Sequence, residues 1–151
     1  MTDSSSTGLP PVAEVVPHKP PMLLLDQVLS YETDRVTCEV RIGPETPFLE
    51  DGLVPAVVGI EYMAQAVAAY AGLTAREQGK GAKIGFLLGC RELTLRTDGF
   101  APGERLVVEA RRTWGDADLG RFACRVERDG QVVAEGVLNV YQGPLPEEMQ
   151  R

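Results

Sequence analysis

Apolar and polar residues change their spacing several times along this chain, and each change marks an element. Met22-Leu23-Leu24-Leu25-Asp26-Gln27-Val28-Leu29 is a nearly continuous apolar run, which predicts a buried first strand. Residues 35–42 alternate, with Val36, Cys38 and Val40 opposed to Thr37, Glu39 and Arg41, and predict a second strand. Residues 43–53 are rich in turn-formers. Pro55 suits a first helical position, where its missing N–H costs nothing. From there to about residue 78 the chain is apolar nearly all round, and such a helix must be enclosed on most sides. Gly79 and Gly81 end it. Four strand-like stretches follow, at residues 83–97, 105–114, 119–128 and 131–142, and Asp129-Gly130 between the last two is a two-residue hairpin signal.

The order is strand, strand, long apolar helix, then four strands. It predicts an α+β domain in which about six antiparallel strands wrap one central helix, the hotdog fold. The domain covers residues 12–142, with a flexible lead-in over 1–11 and a frayed tail over 143–151. One helix cannot fill both faces of such a sheet, so pairing with a second subunit is expected.

Charge and cysteine usage narrow the partners. Fifteen basic against twenty-two acidic residues give a net charge of −7, which argues against nucleic acid or anionic lipid as a general partner. The distribution is uneven: residues 76–128 hold eleven basic and eight acidic side chains. Arg91, Arg96, Arg111, Arg112 and Arg121 in that stretch either receive an acidic partner or form a solvated sheet face. Three scattered cysteines, Cys38, Cys90 and Cys124, and a single histidine supply no zinc spacing and read as free thiols in a reducing compartment. The first eight residues lack the pattern of a signal peptide. The charge-free apolar stretch at 62–75 falls short of the ~20 residues that span a bilayer. A cytoplasmic protein without membrane attachment is expected. Phosphate-loop and nucleophile-elbow spacings are absent, and no metal, nucleotide or flavin cofactor is implied.

Two residues stand out chemically. Glu61 has helical neighbours Val57, Val58, Ala64 and Gln65, an apolar face with one polar companion. A buried carboxylate tends to stay protonated and can then act as a general acid; alternatively, Glu61 pairs with an arginine such as Arg91 or reaches solvent. His18, the single histidine, lies in the proline-stiffened segment Pro17-His18-Lys19-Pro20-Pro21. It suits a base acting near neutral pH, or equally a backbone anchor for the first strand. The helix start at Val54 to Ala56 offers free N–H groups that could polarise a carbonyl. Gly85 and Gly89 leave room along a strand for a ligand chain, or reflect plain strand irregularity.

Two motifs bear a resemblance. Pro17-His18-Lys19-Pro20-Pro21-Met22-Leu23-Leu24-Leu25-Asp26-Gln27-Val28 resembles the N-terminal strand motif of FabA/FabZ-type hydroxyacyl-ACP dehydratases. Pro47-Phe48-Leu49 together with Gly59-Ile60-Glu61-Tyr62-Met63-Ala64-Gln65-Ala66 is similar to their central-helix motif. In that family the helix carboxylate corresponding to Glu61 is an active-site acid, while the catalytic histidine sits in a His-Phe-Pro turn before the helix. Here that loop is shorter, reads Glu50-Asp51-Gly52-Leu53-Val54-Pro55 and holds no histidine. In this the chain resembles the dehydratase-like proteins of aryl polyene pathways.

The resemblance implies dehydration of 3-hydroxyacyl chains on acyl carrier protein to trans-2-enoyl products, with His18 as base and Glu61 as acid. Gln65, Val54, Ala56, Gly85 and Gly89 are expected at the substrate, and the carrier and a second hotdog subunit, identical or different, are the expected partners. A thioesterase using only the helix carboxylate and a non-catalytic subunit of a heterodimer are the rival readings.

Overall fold

In the computed structural model, residues 8–80, 84–116 and 118–143 are described; the expected lead-in up to residue 7 and the tail beyond 143 lie outside them. Six antiparallel strands form one sheet: β1 (Gln27–Glu32), β2 (Arg35–Arg41), β4 (Ile84–Leu95), β6 (Arg105–Gly115), β7 (Leu119–Arg128) and β8 (Gln131–Gly143). Their spatial order is β1-β2-β6-β7-β8-β4, so the segment after the helix crosses to the far edge. A two-stranded piece, β3 (Val54–Pro55) with β5 (Gly99–Phe100), lies apart. The helix α1 spans Gly59–Glu77 and packs on the sheet. This is the hotdog arrangement.

Register explains the core. Val36, Cys38 and Val40 stand opposite Ala110, Val108 and Leu106 on the face toward α1, and β7 adds Phe122, Cys124 and Val126 to the same layer. Tyr62, Met63, Ala66 and Ala69 of α1 meet this layer and are essentially without exposure. By length and composition Ala56–Glu77 could cross a bilayer, but over half of its most apolar window is buried inside the chain; it is the core helix. Asp129 and Gly130 both take positive φ, 54° and 78°, as a two-residue hairpin turn requires. On the outer face Glu39 is only 2% exposed because the guanidiniums of Arg41 and Arg105 close over its carboxylate.

Two expectations are corrected. The apolar run from Met22 does not open as a strand: β1 begins at Gln27, and Met22 to Asp26 descend as irregular backbone with Leu24 and Leu25 buried. The Leu24 N–H bonds a helix side chain, so it is unavailable to a ladder. Pro55 likewise does not start the helix. It is extended (ψ 142°) and paired in β3, Ala56–Val58 make one 3-10 turn, and the α-helix begins at Gly59. The Ala56 N–H donates to the Asp98 carbonyl at 3.0 Å, so it is not free for a ligand.

The N-terminal segment is a strap across α1. Val12–Glu14 form a 3-10 turn, Val15 and Val16 are buried, and Gly72 of the helix lies directly beneath. A Cβ at Gly72 would stand 1.9 Å from the Val15 carbonyl oxygen, an overlap that only movement of the strap relieves. Gly72→Ala is therefore expected to lower stability by about 1–3 kcal/mol, as overpacking does. Urea melts check it; a variant as stable as the parent would show that the strap adjusts freely.

Candidate active site

The strap brings the single histidine to the helix. His18 Nε2 lies 3.6 Å from Glu61 Oε2, which is within electrostatic reach but too long for a hydrogen bond. Both side chains line a cavity of about 180 Å³ between α1, the strap and the sheet edge. Val15 and Pro17 roof it, Ala64, Val67 and Ala68 floor it, and Gly85, Phe86 and Leu87 of β4 form the outer wall. Among the described lining residues, His18 and Glu61 are the only titratable ones; the remainder is chiefly apolar. The imidazole and the carboxylate thus share a chiefly apolar slot.

Glu61 differs from its expected setting. Its side chain keeps 40% of its surface exposed, and it has partners: His18 across the slot and Gln65, whose Nε2 donates to Oε2 at 2.9 Å. The pairing with Arg91 that the sequence allowed is not formed. His18 Nδ1 is buried without a hydrogen-bond partner among the described residues, so the ring's orientation comes from the strap and from Glu61.

The other expected site residues separate. Gly85 lines the cavity, and its nearest neighbour there, Gln142 Cγ, stands 3.8 Å from a Cβ position. Gln65 is fully buried behind Glu61 and does not line the cavity. Val54 is fully buried in the β3–β5 pair, Ala56 lies beside it, and neither reaches the slot. Gly89 sits further along β4, away from the cavity, with open space where a Cβ would go. The tethering role of Gln65 was not legible in the chain, because its partners are backbone groups forty residues away.

Arg111 and Arg91 lie on one row across the sheet, Arg111 opposite Ala123 and Arg91 opposite the Val137 that pairs with Ala123. Arg96 pairs with Glu135 at 2.5 Å, and Arg121 bonds Asn139 while stacking over Trp114. Arg112 lines a second, more polar cavity with Lys80 and Asp116 that shares Ala71 and Gln142 with the first.

Comparison with known proteins identifies the family. A family model described as ApeP-like, the ApeP dehydratases, matches residues 10–151. The chain belongs to the ApeP-like dehydratase family. This ApeP-like chain is also 31% identical over 130 residues to the 3-hydroxyacyl-[acyl-carrier-protein] dehydratase FabZ of Anaeromyxobacter sp. (strain K), covering 82% of this chain and 83% of that one. With FabZ of Chlamydia muridarum it shares 27% identity over 146 residues, 92% and 94% of the two chains. Among solved structures it superposes on a chain of the dehydratase heterocomplex ApeI:P from Xenorhabdus doucetiae with a TM-score of 0.88 and 32% identity, covering 93% and 96%. Dehydration, and not thioester hydrolysis, is the chemistry this membership assigns.

Thiols take no part in the slot. Burial pushes Cys38 up to about 12 and raises Cys124 further, and neither lines the cavity. Cys38 and Cys124 should therefore resist alkylation by iodoacetamide at pH 8 in the native protein and react on unfolding. Mass spectrometry reads this directly, and rapid native labelling of either would contradict the burial described.

Proposed function

We propose that this chain removes water from 3-hydroxyacyl groups carried as thioesters on an acyl carrier protein, leaving the trans-2-enoyl thioester, with His18 as base and Glu61 as acid. The observation that carries the assignment of roles is the facing of these two groups at 3.6 Å on an apolar slot. The thioester carbonyl acidifies the C2 proton, which neutral His18 removes. Protonated Glu61 gives its proton to the C3 hydroxyl, which leaves as water while the C2–C3 double bond forms. His18 ends with the C2 proton while Glu61's proton leaves in the water, and transfer of the C2 proton from His18 to Glu61 resets the pair, which carries one proton before and after each turnover. A pair so placed also argues against a purely scaffolding subunit. His18→Ala and Glu61→Gln should each lower kcat by roughly 10²–10⁴-fold on a 3-hydroxyacyl-carrier substrate, the range for a lost acid or base. Formation of the enoyl product followed by absorbance or mass tests this, and a wild-type rate in either variant removes that residue from its role.

Substrate on a carrier fits a cytoplasmic location and a paired subunit. β4 is an edge strand whose Leu87, Leu88, Leu93 and Leu95 are all more than a third exposed, with Leu88 at 61%. A long edge of this kind is a template for another strand. It supports side-by-side pairing with a second hotdog subunit, a copy of this chain or a different one, next to the cavity wall formed by Leu87. Leu88→Lys should shift the assembly toward monomer in light scattering on a sizing column. An unchanged assembly would place the interface elsewhere.

A further inference from the structure

The fully buried amide of Gln65 lines neither of the two cavities described above. Gln65 is fully buried, and its three polar hydrogen-bonding contacts reach two different elements. Its Oε1 accepts from the Leu24 N–H at 2.8 Å, while its Nε2 donates to the Met22 carbonyl at 2.7 Å and to Glu61 Oε2 at 2.9 Å. The direction of the amide is not arbitrary. A backbone N–H can only donate and a carbonyl can only accept, so the oxygen must face Leu24 and the NH₂ must face Met22 and Glu61.

We propose that Gln65 is the positioning residue of this site: one amide ties the strap carrying His18 to the helix carrying Glu61, and it holds Glu61 Oε2 toward the imidazole. The inference rests on the His18 and Glu61 reading above. Met22 and Leu24 follow His18 closely, and a turn in which the Met22 and Leu23 N–H groups both bond the Lys19 carbonyl joins the two parts rigidly. Fixing Met22 and Leu24 on α1 therefore fixes the height of the imidazole over the carboxylate. Glu61 Oε2 both receives the amide N–H and lies 3.6 Å from His18 Nε2, so the amide sets the rotation of the carboxylate toward the imidazole. Around Glu61, the strap contributes one titratable group, His18, while β4 and β8 contribute Gly85, Phe86, Leu87, Val140 and Gln142, none of which titrates.

Two variants separate tethering from packing. Gln65→Glu keeps the shape: as a neutral acid it still accepts from Leu24 and donates to Met22, but it offers Glu61 no donor. Gln65→Met removes all three contacts at similar volume. Each is assayed as full chain, in the assembly it forms, on a 3-hydroxyacyl-carrier substrate across pH. The expected result is a fall in kcat of about 10²-fold for Gln65→Met, with KM little changed, as for a reacting group misplaced by about an ångström. In both variants the high-pH limb of kcat moves upward, because losing a donor to the carboxylate raises its proton affinity. If Gln65→Met does not fold, Gln65→Glu carries the test alone. A folded Gln65→Glu with wild-type kcat and an unmoved limb overturns the proposal, as does a loss of rate that only follows a loss of folded protein. Wild-type rates in His18→Ala or Glu61→Gln would instead sink the underlying reading, whatever Gln65 does.

Discussion

A helix with almost no polar face has to be covered on nearly every side, and that constraint organises this molecule. The sheet covers the side of α1 carrying Tyr62, Met63, Ala66 and Ala69, and the strap covers the side carrying Gly72. The lane holding Ala64, Ala68 and Ala71 faces the edge strand across a gap instead of dense packing. These are small residues, so closing the lane over a void would forfeit the contacts that make burial favourable. The space is worth filling with something apolar that is not part of the chain. The cavity is thus what remains when one helix is asked to fill a sheet too wide for it, and the edge of the same sheet is left unpaired beside it.

Within that lane a carboxylate and an imidazole are held without being fused. At 3.6 Å they are too far apart for a strong hydrogen bond and near enough to interact electrostatically. The buried amide behind them is stable only because each of its polar atoms is matched; unmatched, it would cost about 1–3 kcal/mol. The irregular backbone at Met22 and Leu24 needs partners for the groups it withholds from the sheet, and Gln65 needs partners for its amide. Each satisfies the other, so the local failure of the strand and the polar residue in the core are one feature.

The parts of this architecture that repeat were legible in the chain, and the parts made by a single contact were not. Alternation over residues 105–142 located β6, β7 and β8 almost to the residue, since a period of two sustained over ten positions fits a half-buried strand and no helix. The hotdog order followed from counting elements. Residues 22–26 misled because an apolar run signals burial, and burial was correct for Leu24 and Leu25, but burial does not specify a ladder. Val54–Pro55 and Gly99–Phe100 are too short for any period to register. Glu61 and His18 drew notice as a carboxylate among apolar neighbours and as a solitary imidazole, whereas their meeting depended on a strap that crosses the helix at Gly72.

The imidazole that faces the helix carboxylate comes here from a different segment than the FabA/FabZ resemblance implies. The FabA/FabZ resemblance puts the imidazole in the loop before the helix, where this chain has Glu50 bridged to Leu53, Val54 and Pro55 paired with β5, and Ala56 donating to the Asp98 carbonyl. That loop is consequently short and ends in buried Val54, with no side chain directed at the slot. The helix carboxylate is the element that cannot move, because its position is set by a turn packed on the sheet. Any segment that can be pinned within about one side-chain length of it can supply the second group. The N-terminal strap meets that condition through Gly72, which lets its backbone approach, and Gln65, which fixes its register. The short loop and the anchored strap together leave the helix carboxylate facing an imidazole that the strap supplies.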